Sequence, residues 1–408
     1  MMMWAGWLAG LAGTAEIRLG GSGFPGPTLL ELCCLFLLPV SQDKRAMKPY
    51  PRGLLVLMGY LAWICAAGLA SSGQGMEALR AARDVTGAGL CTIIMARWVI
   101  RGGSWQSLAM GALTGALIQA GLGISQFTLD GPFLQPVSEN LAAKTDFSGE
   151  LMAHFAVGLF NHPNGLALLL LPATVGLGGM ALHPASRSFA VPAILLVLAA
   201  LSCTAAKGVM IWAGLGLLLC FLGPFWRVGP TWSRQLPLLL MALLDMAILF
   251  YTVWPDAEGH IEAPTVLTRV NMWLAGAAAL GTDPIAWLIG KPSGDMESWT
   301  LLLSRVSYPN CHSTWWNQIL YYGIPGFVGY LAVTGAGASA WWRLCRGSDS
   351  PLGPATGMAM LLAVVGEAIF EPAGAGVSSP FIWLALSILP QVLAARVADQ
   401  SKAREATG

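Results

Sequence analysis

Charged residues are scarce in this 408-residue chain, because Asp, Glu, Lys and Arg together make up only 11% of it. An ordinary soluble domain carries about 25%. Hydrophobic residues make up 55% of the chain, so the composition excludes a soluble globular protein and predicts an integral membrane protein. The 22 basic and 21 acidic residues nearly cancel, which leaves no basic surface for nucleic acid. We therefore expect partners in or beside the bilayer, such as membrane lipids and lipid-linked molecules.

Metal-binding spacings and internal repeats are also lacking. The eight cysteines form no CxxC or Cys/His pattern and mostly fall inside apolar runs, so we interpret them as packing residues and expect no metal site. Because many transporters are built from internal repeats, the lack of a visible repeat disfavours a transporter. The N-terminal stretch MMMWAGWLAGLAGTAE lacks the basic region of a signal peptide, and we predict that it forms a short first membrane helix.

Apolar runs of about 17 to 25 residues recur along the chain, and each is long enough to cross a hydrocarbon core of about 30 Å. The predicted fold class is all-α: a single membrane domain over 1–408, built as a polytopic bundle of about twelve transmembrane helices. We place these helices at 2–15, 26–40, 53–71, 84–100, 107–129, 163–182, 189–203, 208–225, 236–254, 315–340, 352–370 and 379–395.

The basic residues predict the orientation, because Lys and Arg accumulate in short cytoplasmic loops. With both termini in the cytoplasm, 14 of the 22 basic residues fall in cytoplasmic segments and eight on the outer side. Two long loops then lie outside, at 130–162 and at 255–314. The second is the large loop between helices nine and ten, and its apolar pattern predicts short surface helices. Long connections of this kind are often functional.

Two candidate site segments begin predicted helices on the outer side. In the first, Asn-His-Pro-Asn-Gly at 161–165, Pro163 suits a helix start, and Asn161 or Asn164 could cap it. A purely structural cap is the alternative. In the second, Lys207 begins the eighth helix. A cation there opposes the helix dipole, which predicts a bound anion, although a lysine snorkelling to water is the alternative.

Two further candidates lie in and after the large outer loop. Arg269 sits near the start of a short amphipathic helix. Its planar N–H donors match the geometry of phosphate oxygens, and a charge that only contacts water does not need that geometry. His312 precedes Trp315 and Trp316 at the mouth of an apolar helix, where a histidine can accept and return a proton near neutral pH. The alternatives are a surface arginine and an interfacial histidine bonded to a carbonyl.

We expect Lys207, Arg269 and His312 to converge on one face of the bundle, with Arg80 and Arg83 as further members. A basic pocket with aromatic walls at a membrane surface suits an anionic lipid-linked substrate. Two other classes of protein stay open. A transporter or flippase of lipid-linked sugar would place its charges near the bilayer midplane on broken helices. A non-catalytic scaffold of a polysaccharide export complex would tolerate replacement of His312 and Arg269.

Over Phe160 to Leu331 the chain resembles the O-antigen ligase and O-antigen polymerase superfamily of bacterial polysaccharide assembly. The likeness rests on the HPNG segment, on the small-residue hairpin before the eighth helix, and on two longer patterns. One is Arg269 with Trp273, followed by Asp283, Pro284 and Gly290. The other is His312, then ten residues, then Gly323.

The resemblance implies an integral membrane glycosyltransferase of the bacterial inner membrane with its active site facing the periplasm. It would move a glycan from an undecaprenyl diphosphate carrier to an acceptor hydroxyl without metal or other cofactor. The acceptor is another lipid-linked unit in polymerases and the lipid A core in ligases, and other polysaccharide assembly proteins are expected partners. Two departures from the pattern of the ligases favour a polymerase: Trp273 stands in place of leucine, and a serine follows His312. A ligase is the alternative.

The resemblance also implies roles for individual residues. Arg269 and Lys207 would bind the diphosphate, where cations stabilise the charge that develops on the leaving group. His312 is the first candidate for the base and Glu371 the second. Glu367, one turn before Glu371, would be costly in lipid and is predicted to face the bundle interior. The supporting residues are Asn161, Asn164, Trp273, Trp315 and Trp316.

Overall fold

The computed structural model describes residues 2–14, 27–37, 52–70, 76–129, 156–160, 163–204, 206–222, 264–291, 296–304, 311, 313–347, 352–370 and 378–405. Within these ranges the chain forms fourteen α-helices and no β-strand. The helices are α1 (Met2–Ala12), α2 (Leu29–Leu35), α3 (Arg52–Ala70), α4 (Met76–Ile100), α5 (Trp105–Thr128), α6 (Pro163–Ala181), α7 (Arg187–Cys203), α8 (Lys207–Leu222), α9 (Pro264–Leu280), α10 (Pro284–Ile289), α11 (Met296–Ser304), α12 (Thr314–Gly347), α13 (Leu352–Phe370) and α14 (Ser378–Glu405).

Five of the described helices are long and apolar enough to cross a membrane: α3, α5, α6, α12 and α13. Shorter apolar stretches lie in α1, α7, α8 and α14. The all-α class and the membrane character predicted from composition are therefore confirmed. The count of twelve spans and the cytoplasmic placement of both termini stay predictions, and the predicted ninth helix, 236–254, lies outside the described residues.

Glycines set the packing of the first helix. A Cβ atom on Gly10 of α1 would overlap the carbonyl of Leu108, and one on Gly111 of α5 would overlap the carbonyl of Trp7. Such close backbone contact between helices is a role that glycine serves in membrane proteins. Helix α1 therefore lies along α5, with the start of each helix at the same end of the bundle. The end of the bundle where α1 and α5 begin is called the opposite end. The other end, where α1 and α7 finish and α8 begins, is called the site end.

The buried apolar residues form two cores. The larger core joins α1 to α8 with α12 to α14. The smaller core joins α9 and α10 to the beginning of α12 through Ala275, Ala279, Ala286, Cys311 and Leu320. The range predicted as the large outer loop therefore contains three described helices: α9 and α10 pack against α12, and α11 packs against α9.

Helix α12 folds back on itself at Gly323, where the backbone is not helical (φ 70°, ψ −178°). The rings of Trp315 and Phe327 lie 5.6 Å apart, whereas residues twelve apart in a straight helix are separated by about 18 Å. A Cβ on Gly326 would lie 3.3 Å from the carbonyl oxygen of Gln318. The single straight span predicted at 315–340 is therefore replaced by a short arm, 314–322, and a long arm, 324–347, packed side by side.

Helix α4 also differs from its prediction, because it begins at Met76 rather than at residue 84. Arg80 and Arg83 therefore lie inside the helix instead of in the outer loop before it. The physical reason is that the charged residues at its start are accommodated by tertiary contacts, which a search for continuous apolar runs does not detect.

Candidate functional site

Two glutamines of α5 hold the backbone segment that leads into the HPNG turn. Gln126 accepts a hydrogen bond from the N–H of Gly158 (2.8 Å) and donates one to its carbonyl (2.9 Å). Gln119, two turns earlier, is buried and donates to the carbonyl of Thr14 at the end of α1 (3.1 Å). Gly158 has φ 58°, in the left-handed region that favours glycine. The segment 156–160 is thereby fixed between α1 and α5.

The same segment links the HPNG turn to the hairpin before α8. The backbone N–H of Ala156 donates to the carbonyl of Cys203, the last residue of α7 (3.0 Å). Helix α6 begins at Pro163, as the sequence predicted, and Asn164 in its first turn is half-buried. Asn161 lies outside the described residues. The first two candidate segments are therefore neighbours at the site end.

A buried carboxyl group lies at the start of α8. Glu367 of α13 is fully buried, as predicted, and a Cβ on Gly208 would lie 3.2 Å and 3.3 Å from its two carboxyl oxygens. The first turn of a helix favours a negative charge because of the helix dipole. Lys207 begins α8, but its side chain is not among those that the structure describes. Glu371 lies outside the described residues. The structure thus places an acidic side chain where the sequence predicted a bound anion.

Helix α9 carries Arg269, Trp273 and Gly276 at positions that share one face, since they are spaced four and three residues apart. Arg269 and Trp273 are half-buried. The amide of Asn271 donates to the carbonyl of Leu303 (3.1 Å), which ties α9 to α11. Arg269 is therefore held on a packed helix rather than on an exposed loop.

Gly276 brings this face against the segment that contains His312. A Cβ on Gly276 would overlap the sulfur of Cys311, and the N–H of Cys311 donates to the side-chain oxygen of Asn317 (2.9 Å). Cys311 and Ser313 are both buried, and the burial raises the pKa of the Cys311 thiol to about 12. His312 itself lies outside the described residues. Cys311, the residue before it, is nevertheless packed against α9.

The two tryptophans that follow belong to the short arm of α12. The N–H of Trp316 donates to the hydroxyl of Ser313 (3.3 Å), and its ring lies 3.9 Å from the Cβ position of Gly276. Trp315 is half-buried and packs on Phe327 of the long arm. Trp316 therefore lines the contact with α9, whereas Trp315 fills the angle between the two arms.

A second contact fixes α10 against the fold-back turn. The N–H of Lys291 donates to the carbonyl of Leu320 (2.7 Å). Gly290, just before it, has φ 85°, and a Cβ there would overlap the backbone of Tyr321. Gly323 approaches the carbonyl of Leu288 equally closely. The glycines of the two long sequence patterns, 33 residues apart, are therefore neighbours in space.

Arg80 and Arg83 have different surroundings. The guanidinium of Arg83 forms ion pairs with Glu31 (2.7 Å) and with Asp84 (3.1 Å). Glu31 also accepts a hydrogen bond from the N–H of Thr28 in the capping box of α2. Arg80 is exposed on α4. Arg83 thus joins α4 to α2, and diphosphate binding by either arginine stays a prediction.

The structure joins the four candidate segments in two pairs. The HPNG turn meets the hairpin before α8 through Ala156 and Cys203, and the Arg269 helix meets the neighbours of His312 through Gly276 and Cys311. Helix α12 connects the pairs, because it contacts α9 on one side and α13 on the other. Across the described ranges, no three His, Cys, Asp or Glu side chains are grouped as a metal site requires, and all eight cysteines are free.

Three positioning features were missed from sequence: the glutamines of α5, the approach of Glu367 to α8, and the close approach of α10 to α12 at Gly290 and Gly323. The glutamines left a detectable signal, since two amides seven residues apart in the apolar body of a helix share one face and need buried partners. No protein-family model matches this chain, and no curated protein sequence matches it either.

Proposed function

We propose that this chain is a membrane glycosyltransferase of the O-antigen polymerase type, which joins oligosaccharide repeat units carried on undecaprenyl diphosphate at the periplasmic face of a bacterial inner membrane. The observation that supports the proposal best is the contact between Gly276 and Cys311. It brings the helix that carries a phosphate-matching arginine, Arg269, against the residues that flank His312.

In the proposed reaction, the hydroxyl oxygen of the acceptor glycan attacks the anomeric carbon of the donor. The bond from that carbon to the diphosphate oxygen breaks, and the diphosphate leaves with the electron pair. Arg269 and Lys207 bind the diphosphate and stabilise its developing charge. The hydroxyl proton passes to a base, for which His312 is the first candidate and Glu371 the second.

The buried carboxyl group of Glu367 accounts for a lysine at the start of α8. A lysine at a helix N-terminus is disfavoured by the dipole, and a neighbouring carboxylate offsets that cost. Glu367 lies beside Gly208, the next residue along the chain. It therefore lies against the first turn of α8, and diphosphate binding by Lys207 is proposed from the resemblance and from its place at the site end.

The first test is a gel profile of surface and lipid-linked glycans from a strain that lacks the protein and is complemented with variants. We expect wild type to restore long chains, whereas His312→Ala and Arg269→Ala leave single repeat units. The matched controls are His183→Ala, at an exposed turn between α6 and α7, and Arg346→Ala, at the exposed end of α12. Both controls should restore the long chains.

Each other outcome separates the alternatives. Long chains that accumulate on the carrier but never reach an acceptor in the deletion strain would identify a ligase. Full rescue by both His312→Ala and Arg269→Ala would overturn the catalytic assignment and favour a scaffold. Loss of the long glycan chains in the two control variants as well would show that replacement of exposed residues far from the site also impairs the protein. The site assignment would then fail.

One observation favours a transporter of lipid-linked glycan as the second candidate. Helix α12 is broken at Gly323, and broken helices are a feature of carrier proteins. The long arm alone, however, has a length of about 36 Å and can cross the hydrocarbon core without the short arm. Purified protein in liposomes that hold a lipid-linked repeat unit distinguishes the two functions, because an enzyme lengthens the glycan and a carrier only moves it between leaflets.

A further inference from the structure

Two arginines at the end of α4 have shielded donors. Arg97 lies in the last turn of α4, and the N–H of Arg101 donates to its carbonyl (3.1 Å), so the helical turn continues and both side chains leave the same face. Both are half-buried. Within the described ranges, the shielded Nε of Arg97 and the shielded Nη1 of Arg101 have no hydrogen-bond partner.

Shielded guanidinium donors require an acceptor. A guanidinium stays charged at any physiological pH, and its N–H groups lose their bonds to water when they are shielded. The C-terminal dipole of α4 favours a cation in this position, but it supplies no acceptor oxygen to these two nitrogens. The geometry therefore suits an anionic oxygen ligand.

The surroundings of the pair indicate the headgroup level of a membrane. The buried ring of Trp98 lies so close to Gly6 and Gly103 that a Cβ atom on either glycine would overlap it. Gly6 lies in the first half of α1 and Gly103 just before α5, so both helices begin beside the arginines. Trp4 and Trp105, at these two helix starts, are 68% and 41% exposed. Exposed tryptophans at helix ends are typical of the membrane interface.

We propose that Arg97 and Arg101 bind the phosphate of an anionic phospholipid at the opposite end of the bundle, in the leaflet away from the glycan site. Two guanidinium groups one turn apart match phosphate oxygens, and basic pockets between membrane helices bind lipid headgroups. The exposed tryptophans favour a lipid over free phosphate, because they place the pair where headgroups lie. This site is separate from the one that contains Lys207, since α1 runs from Gly6 here to Thr14 at the site end.

The test is native mass spectrometry of the purified full-length protein in detergent micelles titrated with dioleoylphosphatidylglycerol or dioleoylphosphatidylcholine. Wild type should bind one phosphatidylglycerol at least about tenfold more tightly than phosphatidylcholine. The double variant Arg97→Gln with Arg101→Gln should lose that preference. The control is Arg343→Gln with Arg346→Gln, which removes two exposed arginines from the end of α12 and should leave the preference unchanged.

Several results would overturn the proposal: an equal loss in the control, no loss in the glutamine variant, or displacement of the lipid by millimolar inorganic phosphate. If the glutamine variant fails to fold, the variant Arg97→Lys with Arg101→Lys decides instead. It keeps both charges but not the planar fork, so affinity should fall by about threefold or more. Unchanged affinity in that variant would contradict a site built on guanidinium geometry.

Discussion

Gly290 and Gly323 both lie at the contact between α10 and α12, where neither has room for a side chain. Both have φ in the left-handed region, at 85° and 70°. A Cβ on Gly290 would overlap the backbone of Tyr321, and one on Gly323 would overlap the carbonyl of Leu288. The fold-back of α12 and the docking of α10 therefore depend on the same two residues.

Substitution of either glycine by alanine should destabilise the protein. Both glycines combine positive φ with ψ near 180°, a backbone region essentially restricted to glycine, and an alanine there costs about 1 to 3 kcal/mol before any steric overlap is added. We expect Gly323→Ala and Gly290→Ala to lower the unfolding temperature and to abolish glycan polymerisation. The control is Gly335→Ala in the long arm, where nothing lies within 4 Å of the Cβ position. An unfolding temperature at least as high as wild type is expected there, because alanine favours helix.

Replacement of Gln126 by leucine should release the segment that leads into the HPNG turn. The change removes the acceptor of the Gly158 N–H and the donor to its carbonyl in a buried site. We expect a loss of at least about 2 kcal/mol of stability and faster amide hydrogen exchange at 156–160. Gln106→Leu, at an exposed position of the same helix, is the control. Unchanged exchange in Gln126→Leu would contradict this role.

The contact between Gly276 and Cys311 predicts an effect on activity. In Gly276→Ala the new methyl group displaces the Cys311 sulfur and shifts the residues around His312 relative to Arg269. We expect polymerisation to fall by about tenfold or more, since small misplacements of reacting groups carry large rate penalties. Gly214→Ala, whose Cβ position has nothing within 4 Å, should retain full activity. Equal activities of the two variants would show that this contact does not position the site.

The burial of Cys311 predicts low thiol reactivity. Because its pKa is raised to about 12, its thiolate fraction at pH 7.5 is more than about a thousandfold below that of an ordinary thiol with a pKa of about 8.5. Reactivity should rise with pH up to that value. We expect maleimide to leave Cys311 unmodified in the native protein and to label it after denaturation, as read by peptide mass spectrometry. A cysteine introduced at exposed Ser202 is the positive control.

Replacement of Glu367 by glutamine should separate its charge from its shape. Glutamine fills nearly the same volume beside Gly208 but removes the ionisable carboxyl group from the start of α8. We expect polymerisation to fall by about tenfold or more while the protein still accumulates in the membrane. Glu367→Asp keeps the charge and should retain more activity than the glutamine variant. The reverse order would assign Glu367 a packing role only.

Local sequence signals predicted the features that local physics controls. The helix start at Pro163 follows from the fixed φ of proline, and the inward direction of Glu367 follows from the cost of a charge in lipid. The fold-back at Gly323 was missed because the apolar pattern continues across it, although Gly323, Pro325 and Gly326 form a helix-breaking signal. The ion pair of Arg83 with Glu31 joins residues 52 positions apart, and no spacing rule covers that distance.

The fully buried Glu367 has a consequence for how the protein enters the membrane. A carboxylate in the middle of a transmembrane helix costs about 2.5 to 3.5 kcal/mol during insertion, and the cost declines toward the helix ends. Glu367 is the fourth residue from the end of α13, and its neighbour in the finished fold is the start of α8. Since α8 is synthesised first, α13 completes its insertion against a helix that is already present. Truncated chains without α8 should therefore leave α13 less stably inserted.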